Sequence, residues 1–240
     1  MGHIILVTGG ARSGKSTLAE RIAGAYGQAA RSASDGSGIL YVATCEVQDD
    51  EMADRVRRHR MRRPAAWRTL EASSDVGARI LSAAGSMPPA GVLLDCVTLL
   101  VSACMARTLS DWETIPPRVA DTVEAEVRRE IDGLLAAASA LSCPVILVTN
   151  ELGMGLVPEH ASGRLFRDVA GRVNQQLAEA ANEVYLCVSG IPVRIKPFPD
   201  STGALLPATC GNPFPEAMPP PSLEETGVQG DAREGEGARA

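Results

Sequence analysis

Gly9, Gly14, Lys15 and Ser16 fit the spacing G-x-x-x-x-G-K-[ST], and the chemistry of that pattern is phosphate binding. Glycines let the backbone bend so that successive N–H groups point inward at phosphate oxygens, with no Cβ to block their approach. The start of the following helix adds its partial positive charge. Lys15 would reach the outer phosphates and the Ser16 hydroxyl would bind Mg²⁺. Gly10, Ala11, Arg12 and Ser13 complete the loop. Ahead of it, Ile4, Ile5, Leu6 and Val7 read as a short buried strand, and residues 18–25 continue as a helix. The strand, both glycines, the lysine and the serine together set aside a chance glycine turn. The chain is read as a nucleotide-binding protein.

Two further groups carry chemistry. Asp95 closes the apolar run Gly91, Val92, Leu93, Leu94, the place from which P-loop enzymes supply a second acid for Mg²⁺. Residues 55–63 hold six arginines in nine positions with His59 among them. One reading is a solvated basic patch or an RNA contact. The other is a triphosphate surface, where guanidiniums neutralise phosphate oxygens and a neutral imidazole attacks phosphorus. Positive surroundings disfavour the imidazolium and so help to keep His59 neutral.

The elements that must position these groups follow from pattern. Strands are expected at 39–44, 67–71, 91–95, 145–150, 183–189 and 191–196. Helices are expected at 49–63, 76–84, 99–108, 121–141 and 162–181. Residues 28–38 read as a small, polar surface loop. Continuous apolar strands alternating with helices indicate a mostly parallel sheet covered on both faces. From residue 198 proline, glycine and glutamate dominate, so 198–240 reads as a disordered tail after a single domain at 1–197.

The chain of 240 residues is 45% hydrophobic and 3% aromatic, with a formal net charge of -6. That length can bury one sizeable core, and the acidic balance argues mildly against general nucleic-acid binding. The six cysteines form no CxxC pair, and Cys96, Cys143 and Cys187 lie in or beside apolar runs. They are read as small buried hydrophobes rather than disulfides or metal ligands. The residues ahead of the first strand show no charged n-region, long h-region or cleavage site, so no leader is expected. No apolar run approaches the roughly 18–20 residues needed to span a bilayer. A soluble, cytoplasmic protein is expected.

Several motifs occur in a particular order: Val7 to Ser16, Tyr41-Val42-Ala43-Thr44, Asp49-Asp50-Glu51-Met52, Arg55-x-x-x-His59-Arg60, Arg63-Pro64 and Trp67-Arg68-Thr69-x-Glu71. Val148-Thr149-Asn150-Glu151-x-Gly153-Met154-Gly155-x-Val157-Pro158 and Phe166-Arg167-Asp168-x-Ala170-Gly171-Arg172-Val173-Asn174-Gln175 complete the series. Together, over about residues 4–196, they resemble the bifunctional adenosylcobinamide kinase/adenosylcobinamide-phosphate guanylyltransferases of cobalamin biosynthesis. The resemblance implies a P-loop NTPase-like, RecA-like three-layer α/β fold. It also implies two reactions: phosphorylation of adenosylcobinamide, then GMP transfer from GTP through a guanylyl-histidine, giving adenosylcobinamide-GDP and pyrophosphate.

Carried over residue by residue, the nucleophile is His59. His160, in the loop after Pro158, is the fallback, and His3 is given no role. Thr44, Cys45, Glu46, Arg60, Met61, Arg62 and Arg63 look like guanine-nucleotide contacts, with Glu71 and Asp95 as further acids of the nucleotide site. Ser16 and Asp95 would hold Mg²⁺, with GTP and ATP as co-substrates. Asp49, Asp50 and Glu51 are nearby carboxylates with no assigned role, and the base of the kinase step stays open. Asn150 and Glu151 could line the corrinoid site, whereas residues 166–174 are as well explained by helix packing. A homo-oligomer, reportedly a trimer in the family, is implied, with no nucleic-acid partner and no membrane span. Two alternatives stand beside this reading. One is an enzyme that retains a single activity. The other is a regulatory or RNA-contacting P-loop protein docking through its arginine helix, against which the acidic charge and the histidine within the basic run both count.

Overall fold

A computed structural model describes residues 2–32, 38–44 and 64–197. Seven strands form one sheet in the order β3-β2-β4-β5-β1-β6-β7. They are β1 (Ile4–Gly9), β2 (Ile39–Ala43), β3 (Arg68–Glu71), β4 (Gly91–Asp95), β5 (Val145–Val148), β6 (Glu183–Val188) and β7 (Ile191–Lys196). All neighbours pair in parallel except β6 and β7, which form an antiparallel hairpin at one edge. Among the described residues the helices are α1 (Lys15–Ser32), α2 (Val76–Ser86), α3 (Val97–Thr108), α4 (Pro117–Ala140) and α5 (Ala161–Ala180).

The apolar runs are continuous because both faces of the sheet are covered. Ile4, Leu6, Leu40, Val42, Val92, Leu94, Val145 and Leu147 face a core built with α2, α3, α4 and α5. Ile5, Val7, Ile39, Tyr41, Leu93, Ile146 and Val148 face the other way, onto Leu18, Ala19, Ile22 and Ala23 of α1. The mostly parallel, two-face α/β architecture expected from the sequence is therefore observed.

Local differences have simple causes. Helix α1 runs on through Gln28 to Ser32 where a loop was expected, since Gln, Ala and Arg extend a helix already begun. Helix α4 starts at Pro117 rather than Asp121, because proline at the first helical position has no N–H to leave unpaired. Strand β5 stops at Val148, two residues early. The expected helix at 49–63 and the tail at 198–240 lie outside the described residues. Among the described residues no helix is long and apolar enough to cross a membrane.

The topology leaves an opening at one edge. After β1 the chain enters α1 on one face, whereas after β5, the parallel neighbour of β1, it returns through α5 on the opposite face. Loops that part to opposite faces leave a crevice at the carboxyl ends of the strands, where open α/β sheets bind ligands.

Candidate active site

The loop after β1 is shaped by three positive φ angles, at Gly9 (151°), Arg12 (56°) and Gly14 (95°). A Cβ at Gly9 would stand 2.5 Å from the Cys187 carbonyl oxygen and 2.6 Å from Ser13 Oγ, so only glycine fits there. The Ser13 amide closes a turn onto the Gly10 carbonyl at 3.3 Å, and Leu18 N donates to Gly14 O at 3.0 Å as α1 begins. Gly10, Ala11 and Arg12 form the exposed crest, and Ser16 is half-buried in the first turn of the helix.

Lys15 folds back across this loop, and its Nζ donates to the Gly10 carbonyl at 2.9 Å. It is buried at 8% exposure. Burial pushes its pKa below the ordinary lysine value, and Cys96, Asp95 and Cys187 pull the other way. A buried ammonium at a helix start is positive charge of the kind a polyanion would meet. The hydroxyls of Thr8 and Ser13 are buried with no hydrogen-bond partner among the described residues. Unspent buried polar atoms beside the loop fit a cradle that a ligand completes.

Asp95 ends β4, in register with Ala43 of β2 and Val148 of β5. Glu71, exposed at the end of β3, is in register with the same Ala43. The two acids assigned from the sequence therefore lie level along the carboxyl edge. The Tyr41 hydroxyl, from within the core, donates to Asp95 Oδ2 at 3.3 Å. Thr44 Oγ1 donates to the Cys96 carbonyl at 2.6 Å and accepts from the Cys96 amide at 3.1 Å, pinning the backbone just after Asp95. Burial, with the Asp95 charge pushing the same way, raises the Cys96 thiol to about 11. Cys96 and Cys187 are buried as expected, Cys143 is only half-buried, and Cys104 of α3 is buried as well.

A polar chain extends this edge. Cys96 Sγ lies 3.1 Å from Thr98 Oγ1, which accepts from Asn150 Nδ2 at 2.6 Å. Asn174 Nδ2 donates to the Asn150 carbonyl at 3.0 Å, and Thr149 Oγ1 donates to Asn174 Oδ1 at 2.7 Å. Asn150 and Asn174 thus brace one another, while Phe166, Val169 and Val173 pack into the core. The Glu151 amide donates to the Gly9 carbonyl at 3.0 Å, and its carboxylate accepts from Gly153 N at 2.7 Å. Beyond it the loop exposes Met154, Leu156 and Val157. His160 is exposed and sits at the N-cap position just before α5.

The contributions of Tyr41 and Thr98 were not read from the sequence: the motif Tyr41-Val42-Ala43-Thr44 does not say that its tyrosine reaches Asp95, and a helix threonine carries no motif. Glu46, His59, Cys45, Arg60, Met61, Arg62, Arg63, Asp49, Asp50 and Glu51 lie outside the described residues. His3 sits at the far end of β1, its Nε2 2.8 Å from Glu183 Oε1.

Comparison with known proteins agrees with this geometry. Residues 5–195 match the family model described as cobinamide kinase / cobinamide phosphate guanyltransferase. The chain is 46% identical over 198 residues to the bifunctional adenosylcobalamin biosynthesis protein CobU of Escherichia coli, covering 80% of this chain and 99% of that one. It is 44% identical, with the same coverage, to the protein of that name in Salmonella typhimurium. It is 38% identical over 193 residues to the bifunctional adenosylcobalamin biosynthesis protein CobP of Pseudomonas aeruginosa, covering 80% and 96%. With its phosphate loop, strand-end acids and parallel sheet all inside the matched span, this chain belongs to the cobinamide kinase / cobinamide phosphate guanyltransferase family.

Proposed function

We propose that this protein phosphorylates adenosylcobinamide and then transfers GMP from GTP to adenosylcobinamide phosphate, giving adenosylcobinamide-GDP and pyrophosphate. The observation that carries the reading is the buried Lys15 folded over the phosphate loop beside Asp95. Membership of the family, with relatives named bifunctional, supports both activities. Backbone N–H groups of residues 9–16 and Lys15 bind the nucleotide phosphates and hold them for in-line attack. His59 attacks the α-phosphorus of GTP; the new N–P bond forms as the bond to pyrophosphate breaks. The phosphate of adenosylcobinamide phosphate then takes the guanylyl group and frees the imidazole.

Arg60, Arg62 and Arg63 offset charge on the departing pyrophosphate, and Thr44, Cys45, Glu46, Met61 and Glu71 complete the nucleotide site. The half-buried Ser16 hydroxyl and the Asp95 carboxylate, with phosphate oxygens, make the hard oxygen set that Mg²⁺ takes, so these two residues would hold it. Bound there, Mg²⁺ would neutralise phosphate charge. The loop at 150–158 lines the corrinoid side. By the same family likeness the protein is a cytoplasmic homo-oligomer, with a trimer the form implied.

The test is incubation with Mg²⁺ and α-labelled GTP, then denaturation, comparing wild type with His59→Ala. Label that is acid-labile, alkali-stable and lost in the variant is the expected result. Equal labelling of the variant would move the nucleophile, with His160 next to be substituted. No label in either protein, with GTP binding demonstrated, would overturn the covalent step.

A further inference from the structure

We propose that the Ser189–Gly190 turn of the β6–β7 hairpin is a positioning element of the phosphate loop, its Gly190 amide orienting the Ser13–Gly14 peptide for a nucleotide phosphate. This inference rests on the phosphate-loop reading of residues 9–16.

Strand β6 ends at Val188 and β7 begins at Ile191, leaving a two-residue connection. Both of its residues have positive φ, 52° at Ser189 and 84° at Gly190. Positive φ at both central positions is the requirement of a type I′ turn, whose twist matches the flanking strands, so the tip is stiff. That tip lies against the phosphate loop. Gly190 N donates to the Ser13 carbonyl at 3.0 Å. At Gly14, also at positive φ, a Cβ would stand 3.1 Å from Gly190 Cα, so two backbones meet there without side chains between them. The Gly9 position is tighter still, a Cβ there standing 2.5 Å from the Cys187 carbonyl oxygen of β6. The loop is therefore gripped along its outer side by one hairpin.

The consequence follows from the planarity of the peptide. In a trans peptide the C=O of Ser13 and the N–H of Gly14 point in opposite directions. Tying the carbonyl outward to Gly190 turns the Gly14 N–H away from the hairpin, to the side where phosphate oxygens are bound. A phosphate accepting from that N–H polarises the peptide and strengthens Ser13 O as an acceptor. Nucleotide and turn then reinforce each other through one peptide.

Amide exchange in the wild-type protein, with and without Mg·GTP, tests this directly. Mg·GTP should slow exchange at residues 14–16 and at Gly190 together. Protection of residues 14–16 with none at Gly190 would overturn the proposal while leaving the phosphate-loop reading intact. Protection at neither site would overturn that reading and the turn's role with it. A second arm uses Gly190→Val and Gly190→Asn. A Cβ at 190 meets open space, so any effect comes through backbone conformation. Valine disfavours the positive φ and asparagine tolerates it. Calorimetric affinity for Mg·GTP should fall about tenfold in the valine variant and return to near the wild-type value in the asparagine variant. An unchanged affinity in Gly190→Val, or a loss that asparagine does not restore, would overturn the proposal.

Discussion

At the amino edge of the sheet Glu183 is buried, and both of its carboxylate oxygens are used. Oε1 faces His3 Nε2 at 2.8 Å and Oε2 accepts the Tyr185 hydroxyl at 2.6 Å, while Asn182 Oδ1 accepts from Ile4 N at 2.8 Å. At the other end of the same two strands, the hydroxyls of Thr8 and Ser13 are buried without partners among the described residues, and Lys15 spends its charge on one carbonyl. One end is closed upon itself. The other holds a buried cation and unspent donors, an arrangement that costs stability unless a ligand completes it. Polar groups that look alike in the sequence are thus divided by pairing: those at the amino edge are closed on one another, whereas Thr8, Ser13 and Lys15 at the carboxyl edge are left open to the phosphate proposed above.

The largest expected effect breaks the open end. Lys15→Met should lower both phosphoryl and guanylyl transfer by about 10²–10³-fold, the scale of losing a preorganised charge, while the unfolding midpoint of the free protein stays within a few degrees. A stability loss comparable to the activity loss would make Lys15 a structural residue. The lowered lysine pKa sets a pH test of the same contrast. Between that lowered value and the ordinary 10.5, the unfolded chain holds a proton that the native lysine has released. Relative to Lys15→Met, wild-type stability should therefore rise with pH across that window. Affinity for Mg·GTP, which needs the ammonium, should fall across the same window. Parallel slopes would remove the distinction.

Gly9→Ala tests the frame of the open end. Its Cβ meets the Cys187 carbonyl and Ser13 Oγ, so a loss of about 1–3 kcal/mol in stability is expected with a weakened nucleotide site. At the closed end Glu183→Ala should cost a similar 1–3 kcal/mol, by leaving the Tyr185 hydroxyl buried without its acceptor. Transfer kinetics should not change. Denaturant unfolding beside steady-state rates separates the two variants, and a fall in transfer rate for Glu183→Ala would join the two ends functionally.

Much of the fold and of the open end was legible in the sequence, for physical reasons, whereas the pairing that closes the amino edge was not. The phosphate loop could be read because its glycines, lysine and serine each answer a separate local demand within eight residues. The strands could be read because burial on both faces forces unbroken apolar runs at 4–7, 91–94 and 145–148. What escaped depends on register between distant segments. The Tyr41 bond to Asp95, the Thr44 clasp on Cys96 and the Asn150–Asn174 brace join residues 24 to 54 positions apart. No local pattern encodes such pairings. The direction of β7 was equally hidden in its own residues, and is decided by the two-residue connection at 189–190, too short for anything but an antiparallel return.

The smallest effect gives the sharpest comparison, because it sets one threonine of the open end against another that is paired. Thr149 is fully buried, and its hydroxyl donates to Asn174 Oδ1 at 2.7 Å. Thr149→Val should cost about 1–2 kcal/mol, since the Asn174 oxygen is left without that donor. Thr8 is 9% exposed and its hydroxyl has no partner among the described residues, so Thr8→Val removes a desolvated group and breaks no bond. Its unfolding midpoint in the free protein should stay level or rise by a few degrees, at about 2–4 °C per kcal/mol for a chain of this size. Equal losses in the two variants would give the Thr8 hydroxyl a partner after all, and the carboxyl edge would then be as closed as the amino edge. A neutral Thr8→Val beside a destabilised Thr149→Val would show that two buried threonines on the same edge serve different ends.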